Sequence, residues 1–520
     1  MPVSIEAIHI WAIFTPLLLG LLLLGGLLLE MTVWKERPRA VGIYTLVGLI
    51  AVFIAQAWLH ILRLNISTKP FVVFQEQYFF DLFSVLFNYV FLLGAGVAVL
   101  LSLTHFQDDE DHRGEYYLLI LVATIGMCVM AAAHDLLILF IGIEIMSIAV
   151  YALVGIQQRR LISGEASVKY LLLGAFSSAI LVYGMALIFG VTGELTYQAL
   201  SAEIDAARTG DLLSHMTVVI GIFLFLVGLL FKVAAVPFHM WTPDVYEGAP
   251  TPITAFMATA VKAAAFAALV RVGITAFRPL WWFDFLYYSL WVIAVLTMTL
   301  GNFVAIAQKN LKRMLAYSSI AHAGYLLVGV TAIVAVGPIR DFFGDDKMMN
   351  IVKANTTSVI FYVLVYTLMN LGAFGVIVAL CREKEGGETL SDFAGLARKR
   401  PGMAAAMAVF MFSLTGIPPL AGFAGKFFIF QSAIKSQLYV LAVIGMLNSV
   451  VSAYYYLRVV VVMYMTDEEK PFVRAPSMSG AVLVNAVMSI VVVLLGVFPQ
   501  RVMDILIKFF EKGMFDVTIK

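Results

Sequence analysis

Apolar residues in this chain neither alternate with polar ones at strand spacing nor fall on a single helical face. They run together in long stretches, set off by short clusters of charged residues, proline and glycine. A helix crossing a bilayer needs about 20 apolar residues. Runs of that kind occur over 7–29, 41–62, 79–104, 116–133, 136–156, 168–192, 216–237, 252–275, 286–308, 314–336, 354–381, 403–434, 438–464 and 480–506. The pattern predicts an all-α polytopic membrane protein of about fourteen transmembrane helices in a single membrane domain. The longest connections, 193–215 and 382–402, hold about twenty residues each, too few for a separate domain. Any chemistry must therefore lie between helices.

Two of the fourteen runs are interrupted. In the seventh, FKVAAVPFHMWTPDVYEGAPTP, Pro237 has no N–H for the carbonyl of Val233, and Pro243, Pro250 and Pro252 follow. In the twelfth, FSLTGIPPLAGFAGKFFIF, Pro418 and Pro419 deprive Leu414 and Thr415 in the same way, while Gly416, Gly422 and Gly425 loosen the turn. Inside a bilayer, freed carbonyls are tolerated only where protein or water satisfies them. Interrupted helices in corresponding positions of two halves point to inverted repeats around an ion path. Packing kinks are the plainer alternative.

Composition supports this reading and removes several function classes. Of 520 residues, 62% are hydrophobic and 13% charged, with a mean hydropathy of +0.95. Lys and Arg number 34 against 33 Asp and Glu, so there is no basic surface for nucleic acid. Cys128 and Cys381 stand far apart in apolar stretches and offer neither an iron–sulfur ligand set nor a disulfide framework. The eight histidines are scattered, and no metal-ligand spacing is present. The loops that lie inside when the N-terminus is outside carry sixteen Lys and Arg, including Lys309, Lys312, Arg313 and the run Arg398 to Arg400, against eleven on the other side. That bias predicts both termini on the outer face.

Charge reappears where it is costly. Glu144, Lys169, Lys232, Lys262 and Lys426 fall within predicted spans, Lys169 near an end. A charge near the centre of a bilayer helix costs about 2.5–3.5 kcal/mol, so the other four oppose insertion by about 10–14 kcal/mol together. Snorkelling to the interface suits Lys169 but not Lys262, which has about ten residues of helix on either side. Burial disfavours the charged form of a lysine and a nearby carboxylate restores it, so a movable Glu144–Lys232 pair would act as a protonation switch. His239 and His322 are fitting intermediates, each with the alternative of a satisfied packing residue. Tyr317, Ser318, Ser319, Tyr366, Thr251 and Thr254 read most simply as helix-interface hydroxyls. The acidic run Asp108 to Asp111 and the Lys309 to Arg313 cluster read as solvated loops or partner contacts.

Five stretches carry a resemblance over most of the chain. They are HDLLILFIGIEIMSIAVYAL around Glu144, FKVAAVPFHMWTPDVYEGAPTPITAFMATAVKAAAFAALVRV from Phe231 to Val272, QKNLKRMLAYSSIAHAGYLLVG from Gln308 to Gly329, GGETLSDFAGLARKRP from Gly386 to Pro401, and GIPPLAGFAGKFFIF around Lys426. Together they resemble the antiporter-like membrane subunits of respiratory complex I. The resemblance implies two inverted five-helix repeats, helices 4–8 (116–275) and 9–13 (286–464), with helices 7 and 12 discontinuous. Helices 1–3 (1–115) precede them and a fourteenth (480–506) follows.

It also implies roles. Glu144 would be the glutamate of the fifth helix, Lys232 its partner on the seventh, Lys262 the central relay on the eighth and Lys426 the terminal residue on the twelfth, with Lys169 an additional lysine. Lysine rather than glutamate on the twelfth helix, and no long C-terminal lateral helix, set the chain apart from two sister subunits. The implied function is proton translocation in a bacterial inner membrane, driven by quinone reduction elsewhere. NADH, flavin, iron–sulfur clusters and quinone would belong to partner subunits, with no cofactor in this chain. The partners would be other membrane-arm subunits and, indirectly, the peripheral flavin and iron–sulfur arm. The segment 337–356 looks longer than the resemblance leads one to expect. A multisubunit cation/proton antiporter is the alternative, although YEGAPTP and GGETLSDFAG favour complex I. A mainly structural subunit and a membrane cytochrome are further readings, to be separated by lysine substitution and by a haem spectrum.

Overall fold

The computed structural model describes residues 10–35, 37–66, 71–106, 113–209, 211–279, 284–336, 345–380, 388–467 and 479–511. The helices are α1 (Phe14–Thr32), α2 (Pro38–Ile66), α3 (Leu82–His105), α4 (Glu115–Ala132), α5 (Leu136–Val154), α6 (Leu161–Thr192), α7 (Tyr197–Thr209), α8 (Leu212–Lys232), α9 (Trp241–Gly248) and α10 (Thr251–Ile274). They continue with α11 (Asp284–Ile306), α12 (Leu311–Val334), α13 (Asp345–Leu380), α14 (Pro401–Thr415), α15 (Ala421–Lys435), α16 (Tyr439–Met465), α17 (Ser479–Val497) and α18 (Pro499–Glu511).

Among the described residues, 13 helices are long and apolar enough to cross a membrane. The twelfth expected span is divided between α14 and α15, and among the described residues each expected span falls mainly on helix. Boundaries differ most in two places. The eleventh span was expected from 354, but α13 begins at Asp345, so most of the long segment before it is helix, while 337–344 lies outside the described residues. The last span was expected to run 480–506, but α17 stops at Val497 and Pro499 opens the separate α18. Proline is well tolerated at a first helical position and not inside one. The connection 193–215 holds a helix of its own, α7. The Asp108 to Asp111 run lies outside the described residues.

Local sequence explains several helix starts. Asp81, Asp135, Asp211 and Asn310 each accept a backbone N–H of the first turn and so cap α3, α5, α8 and α12. Depth follows composition. α10 is buried along its whole length and α12 and α13 nearly so, whereas α1, α6 and α17 are largely exposed. The alanine-rich face of α10 admits close approach, and a Cβ on Gly94 of α3 would stand 2.7 Å from that of Ala260. Lys262, at the centre of this buried helix, has no route to the interface.

The all-α expectation misses one small sheet. β1 (Phe71–Val73) and β2 (Tyr78–Phe80) form an antiparallel hairpin in the register Phe71 to Phe80, Val72 to Phe79 and Val73 to Tyr78. A bridge from Tyr78 to Ala133 ties it to the α4–α5 turn. Directly beneath lies a charge pair that the sequence reading passed over. Arg271, near the end of α10, is 1% exposed and Asp81 is fully buried. The guanidinium donates to both carboxylate oxygens, at 3.0 and 2.8 Å, and through Nε to the Ala131 carbonyl at 2.7 Å. Its Cζ lies 4.5 Å from the Phe83 ring centroid. Breaking such a pair on one side strands the other charge, which costs about 3–5 kcal/mol, while apolar replacement of both is often neutral. Asp81→Ala is therefore expected to lower the thermal unfolding temperature of the detergent-solubilised protein sharply. Asp81→Leu with Arg271→Met is expected to recover most of the loss.

Candidate functional site: buried lysines at two helix breaks

Both interrupted spans end in the same motif. After α8, Ala234 takes φ +62°, its N–H bonds the Phe231 carbonyl, and the Ala235 N–H reaches back to Leu230. After α14, Gly416 takes φ +92°, its N–H bonds Ser413, and the Ile417 N–H reaches back to Phe412. This double closure satisfies the carbonyls one turn back and leaves the last two free. The peptides Val236–Pro237 and Pro418–Pro419 are both cis.

At the second break the free carbonyls have a specific partner. The Lys426 ammonium, 4% exposed, donates to Leu414 O and Thr415 O, each at 2.9 Å, and to the Ser449 hydroxyl at 2.9 Å. These are the two carbonyls that Pro418 and Pro419 were expected to deprive. Gly416 is required here. A Cβ would stand 3.2 Å from Lys426 Cδ, and φ +92° is a region that side-chain-bearing residues avoid. Lys426 also lies over the Tyr325 ring, 4.9 Å from its centroid, and lines a cavity bounded by Phe423, Phe427, Phe430 and Ser449.

Lys232 is the last residue of α8, 3% exposed. Its ammonium donates to the Ser147 hydroxyl at 2.8 Å and approaches the Tyr151 hydroxyl at 3.3 Å, both on α5. Glu144, one turn before Ser147, is half-buried and instead accepts from Ser178 of α6 at 2.5 Å. The Glu144–Lys232 ion pair is thus open in this structure, with the Lys232 ammonium of α8 held at Ser147, one turn of α5 beyond Glu144. Lys262, 2% exposed, follows a π-helical turn, Met257–Val261, and donates to the carbonyl and hydroxyl of Ser319 at 2.8 and 2.5 Å. Single π turns recur at functional sites, and no sequence signal announced this one.

His322 lies one turn beyond Ser319, with both ring nitrogens engaged. Nδ1 meets the Tyr362 hydroxyl at 2.7 Å and Nε2 the Tyr456 hydroxyl at 3.0 Å, and Tyr456 in turn bonds Ser318. The structure therefore brings Lys262, His322 and Lys426 into one neighbourhood, through Ser318, Ser319, Tyr325 and Tyr456. Ser318 and Ser319, read from sequence as interface hydroxyls, both contact this line. Ser147, Tyr151, Tyr362, Tyr456 and Ser449 were missed because hydroxyls on helices carry no distinguishing sequence pattern. Among the described residues, no carboxylate pairs with Lys232, Lys262 or Lys426, and no group of three or more His, Cys, Asp and Glu is placed to hold a metal ion.

Two expected residues have surroundings of a different kind. His239 is half-buried in the first break, and its Nδ1 has no hydrogen-bond partner. The Lys169 side chain is 43% exposed and pairs with Glu165 at 2.6 Å and Asp244 at 3.0 Å. In the Lys309 to Arg313 cluster, Lys309 is exposed ahead of α12, but Lys312 and Arg313 belong to its first turn and are not in a solvated loop. Lys312 is buried and donates to Glu247 O, Ala249 O and Glu388, while Arg313 bridges Asp244 and Glu247 at 2.7 and 2.8 Å. YEGAPTP, the Lys309 cluster and GGETLSDFAG, distant in sequence, thus meet in one ion-paired knot.

Comparison with known proteins finds relatives that match most of the chain. The family described as NADH:quinone oxidoreductase/Mrp antiporter, TM, matches residues 133–338 and 347–452. A relative from Trichlorobacter lovleyi named NADH-quinone oxidoreductase subunit N is 47% identical over 83% of this chain and 84% of its own. Among solved structures, a chain of respiratory complex I from Thermus thermophilus is 34% identical, with a TM-score of 0.75 over 94% of this chain and 98% of its own. A chain of the Mrp complex from Dietzia shares the fold, with a TM-score of 0.79 at 20% identity over 96% of this chain and 97% of its own.

The different partners of two lysines predict different stability effects. Lys426→Met orphans the Leu414 and Thr415 carbonyls, each worth about 1–3 kcal/mol when buried and unsatisfied, and is expected to lower the unfolding temperature. Lys262→Met leaves Ser319 free to bond within its own helix and removes a buried charge. It is expected to leave the unfolding temperature unchanged or raise it, as read by differential scanning of the solubilised protein.

Proposed function

The chain belongs to the family of NADH:quinone oxidoreductase and Mrp antiporter membrane subunits, and from that premise we propose that its buried lysines pass protons along the membrane as part of a NADH-quinone oxidoreductase. Its function is that of an antiporter-like, proton-translocating multi-pass membrane subunit. The residues of the path are the proposal: Glu144, Lys232, Lys262, His322 and Lys426, with the helix breaks at Pro237 and Pro418–Pro419 opening it. One observation carries it. Three lysines, each at most 4% exposed, are held only by neutral hydroxyl and carbonyl oxygens among the described residues. Such a lysine can give up its proton without stranding a carboxylate, because the resulting amine keeps two N–H donors, enough for the Leu414 and Thr415 carbonyls at Lys426, and a lone pair that can accept from a hydroxyl such as that of Ser449.

The open Glu144–Lys232 pair is one position of the proposed switch. When the ammonium moves one turn along α5, from Ser147 to Glu144, its proton is held. When it returns to Ser147 and Tyr151, the proton is released toward Lys262 and onward through Ser319, Ser318, Tyr456 and His322 to Lys426. The two inverted repeats, 116–275 and 286–464, are likewise part of the proposal, supported by the common motif at both breaks. So is a topology with both termini outside, which the basic loops support. The partners are then other membrane-arm subunits in a bacterial inner membrane. Flavin, iron–sulfur clusters, NADH and quinone reside in those partners or the arm attached to them. A multisubunit cation/proton antiporter is the second reading, and the fold shared with the Mrp chain is the observation that favours it.

Affinity isolation of the tagged chain from mildly solubilised membranes is expected to recover flavin and iron–sulfur subunits, whereas recovery of small membrane subunits alone would establish the second reading. In those membranes Lys232→Ala, Lys262→Ala and Lys426→Ala are each expected to reduce quinone-coupled proton uptake at least about tenfold, the size of a lost proton-transfer group. Lys262→Arg is expected to fail as well, since a guanidinium keeps its charge but does not release its proton. Wild-type uptake in all four variants would remove the proposed path.

A further inference from the structure

Lys169 matches a lysine of the family, yet its surroundings differ from those of the three buried lysines. It is partly exposed, and its partners are carboxylates: Glu165 one turn back on α6 and Asp244 on α9. α9 is the eight-residue half-helix that follows the first break. Its side toward α12 is held at many points. Arg313 grips Asp244 and Glu247, Asn310 donates to Glu247 at 3.3 Å, and the buried Lys312 caps the carbonyls of Glu247 and Ala249 at 2.9 and 2.8 Å. On the side toward α6, the described charge contact is Lys169 with Asp244.

The next residue on α6 shows what that contact aligns. The Tyr170 ring stacks on Trp241, the first residue of α9, with centroids 4.4 Å apart and planes at 15°. It also meets Tyr151 of α5 edge-on, at 4.7 Å. Tyr151 is one of the two hydroxyl partners of Lys232, and the Trp241 Nε1 donates to the carbonyl of Phe231, the residue before Lys232. One turn of α6 thus touches α9, α5 and, through them, the end of α8.

We infer that Lys169 is a positioning residue and not a proton carrier: paired with Asp244, it fixes the register of α6 on α9, so that Tyr170 holds Trp241 and Tyr151 where the Lys232 ammonium meets Ser147 and Tyr151. The inference rests on the proposed role of Lys232. It separates two demands on a lysine. A carrier must lose its proton, whereas a tie to a carboxylate needs only a permanent positive charge, which arginine supplies.

The test is proton uptake per quinone reduced, measured in membranes holding normal amounts of assembled complex, for Lys169→Ala, Lys169→Arg, Asp244→Asn, Lys169→Ala with Asp244→Asn, and Lys232→Ala as reference. Lys169→Ala is expected to lower the ratio about two- to fivefold, the size of a partly exposed ion pair. Lys169→Arg is expected to retain at least half of the wild-type ratio, and the double variant to be no worse than Asp244→Asn alone. Loss in Lys169→Arg equal to that in Lys169→Ala would make Lys169 a carrier and overturn the inference. So would additive losses in the double variant, or no loss in Lys169→Ala. If Lys232→Ala kept the wild-type ratio, the proposed path would fall and this inference with it. Abolished uptake in Lys232→Ala together with failure of Lys169→Arg would sink the inference alone.

Discussion

A membrane interior offers an ammonium group no water, so each buried lysine here must find its acceptors within the protein. That requirement organises the site. A regular helix uses each of its carbonyls once, so acceptors come from hydroxyls, from the second lone pair of a helical carbonyl, or from places where the helix stops. The second break supplies them directly, with Lys426 taking the last two carbonyls of α14 and the hydroxyl of Ser449. The first break instead ends on the lysine itself, leaving Lys232 to the hydroxyls of α5. Lys262, in the middle of an unbroken span, takes a hydroxyl and carbonyl of α12 next to a π-helical turn.

Buried charge is used in two opposite ways in this chain. Arg271 and Asp81 form a closed account of charge and hydrogen bonds, with the bidentate pair completed by a backbone carbonyl and two aromatic rings. Nothing in that arrangement can change protonation without stranding a partner. The lysines are held by neutral oxygens, an arrangement that tolerates either the ammonium or the amine. The first kind fixes the hairpin end of α10 to α3 and α4. The second lies further along the same helix, at Lys262. One fully buried element therefore carries both a permanent charge that anchors it and a titratable one that it presents to its neighbour.

Much of this was legible in sequence because hydrophobic length is a strong signal. Apolar runs located all fourteen spans, and proline placed both breaks, down to the carbonyls of Leu414 and Thr415 that Lys426 occupies. Boundaries drifted where amphipathic turns extend a span, as at Asp345, or where a proline divides one, as at Pro499. The hairpin escaped because three-residue strands are too short to show a period. Asp81 and Arg271 escaped because each lies near the end of an apolar run, where a charge looks like an interfacial residue until its partner, 190 positions away, is known. The hydroxyl partners escaped for a related reason. Serine and tyrosine are common on membrane helices, and only the fold shows which of them face a lysine. Lys169 and His239 are conspicuous in sequence as well, but the fold gives them other surroundings, carboxylate partners for Lys169 and an Nδ1 without a hydrogen-bond partner for His239.

α12 is the element on which these features converge. Ser319 receives Lys262, Ser318 and His322 hold Tyr456, and Tyr325 lies beneath Lys426, so the middle of α12 touches the site on both sides. Its first turn grips α9 through Lys312 and Arg313. α9, the half-helix adjoining Lys232, is thus tied directly to the helix that carries His322. The two breaks are joined through the contacts of one helix. The ties among Asp244, Glu247, Ala249, Lys312, Arg313 and Glu388 give YEGAPTP, the Lys309 cluster and GGETLSDFAG, which have no place in the proposed proton path, a structural reason to be there.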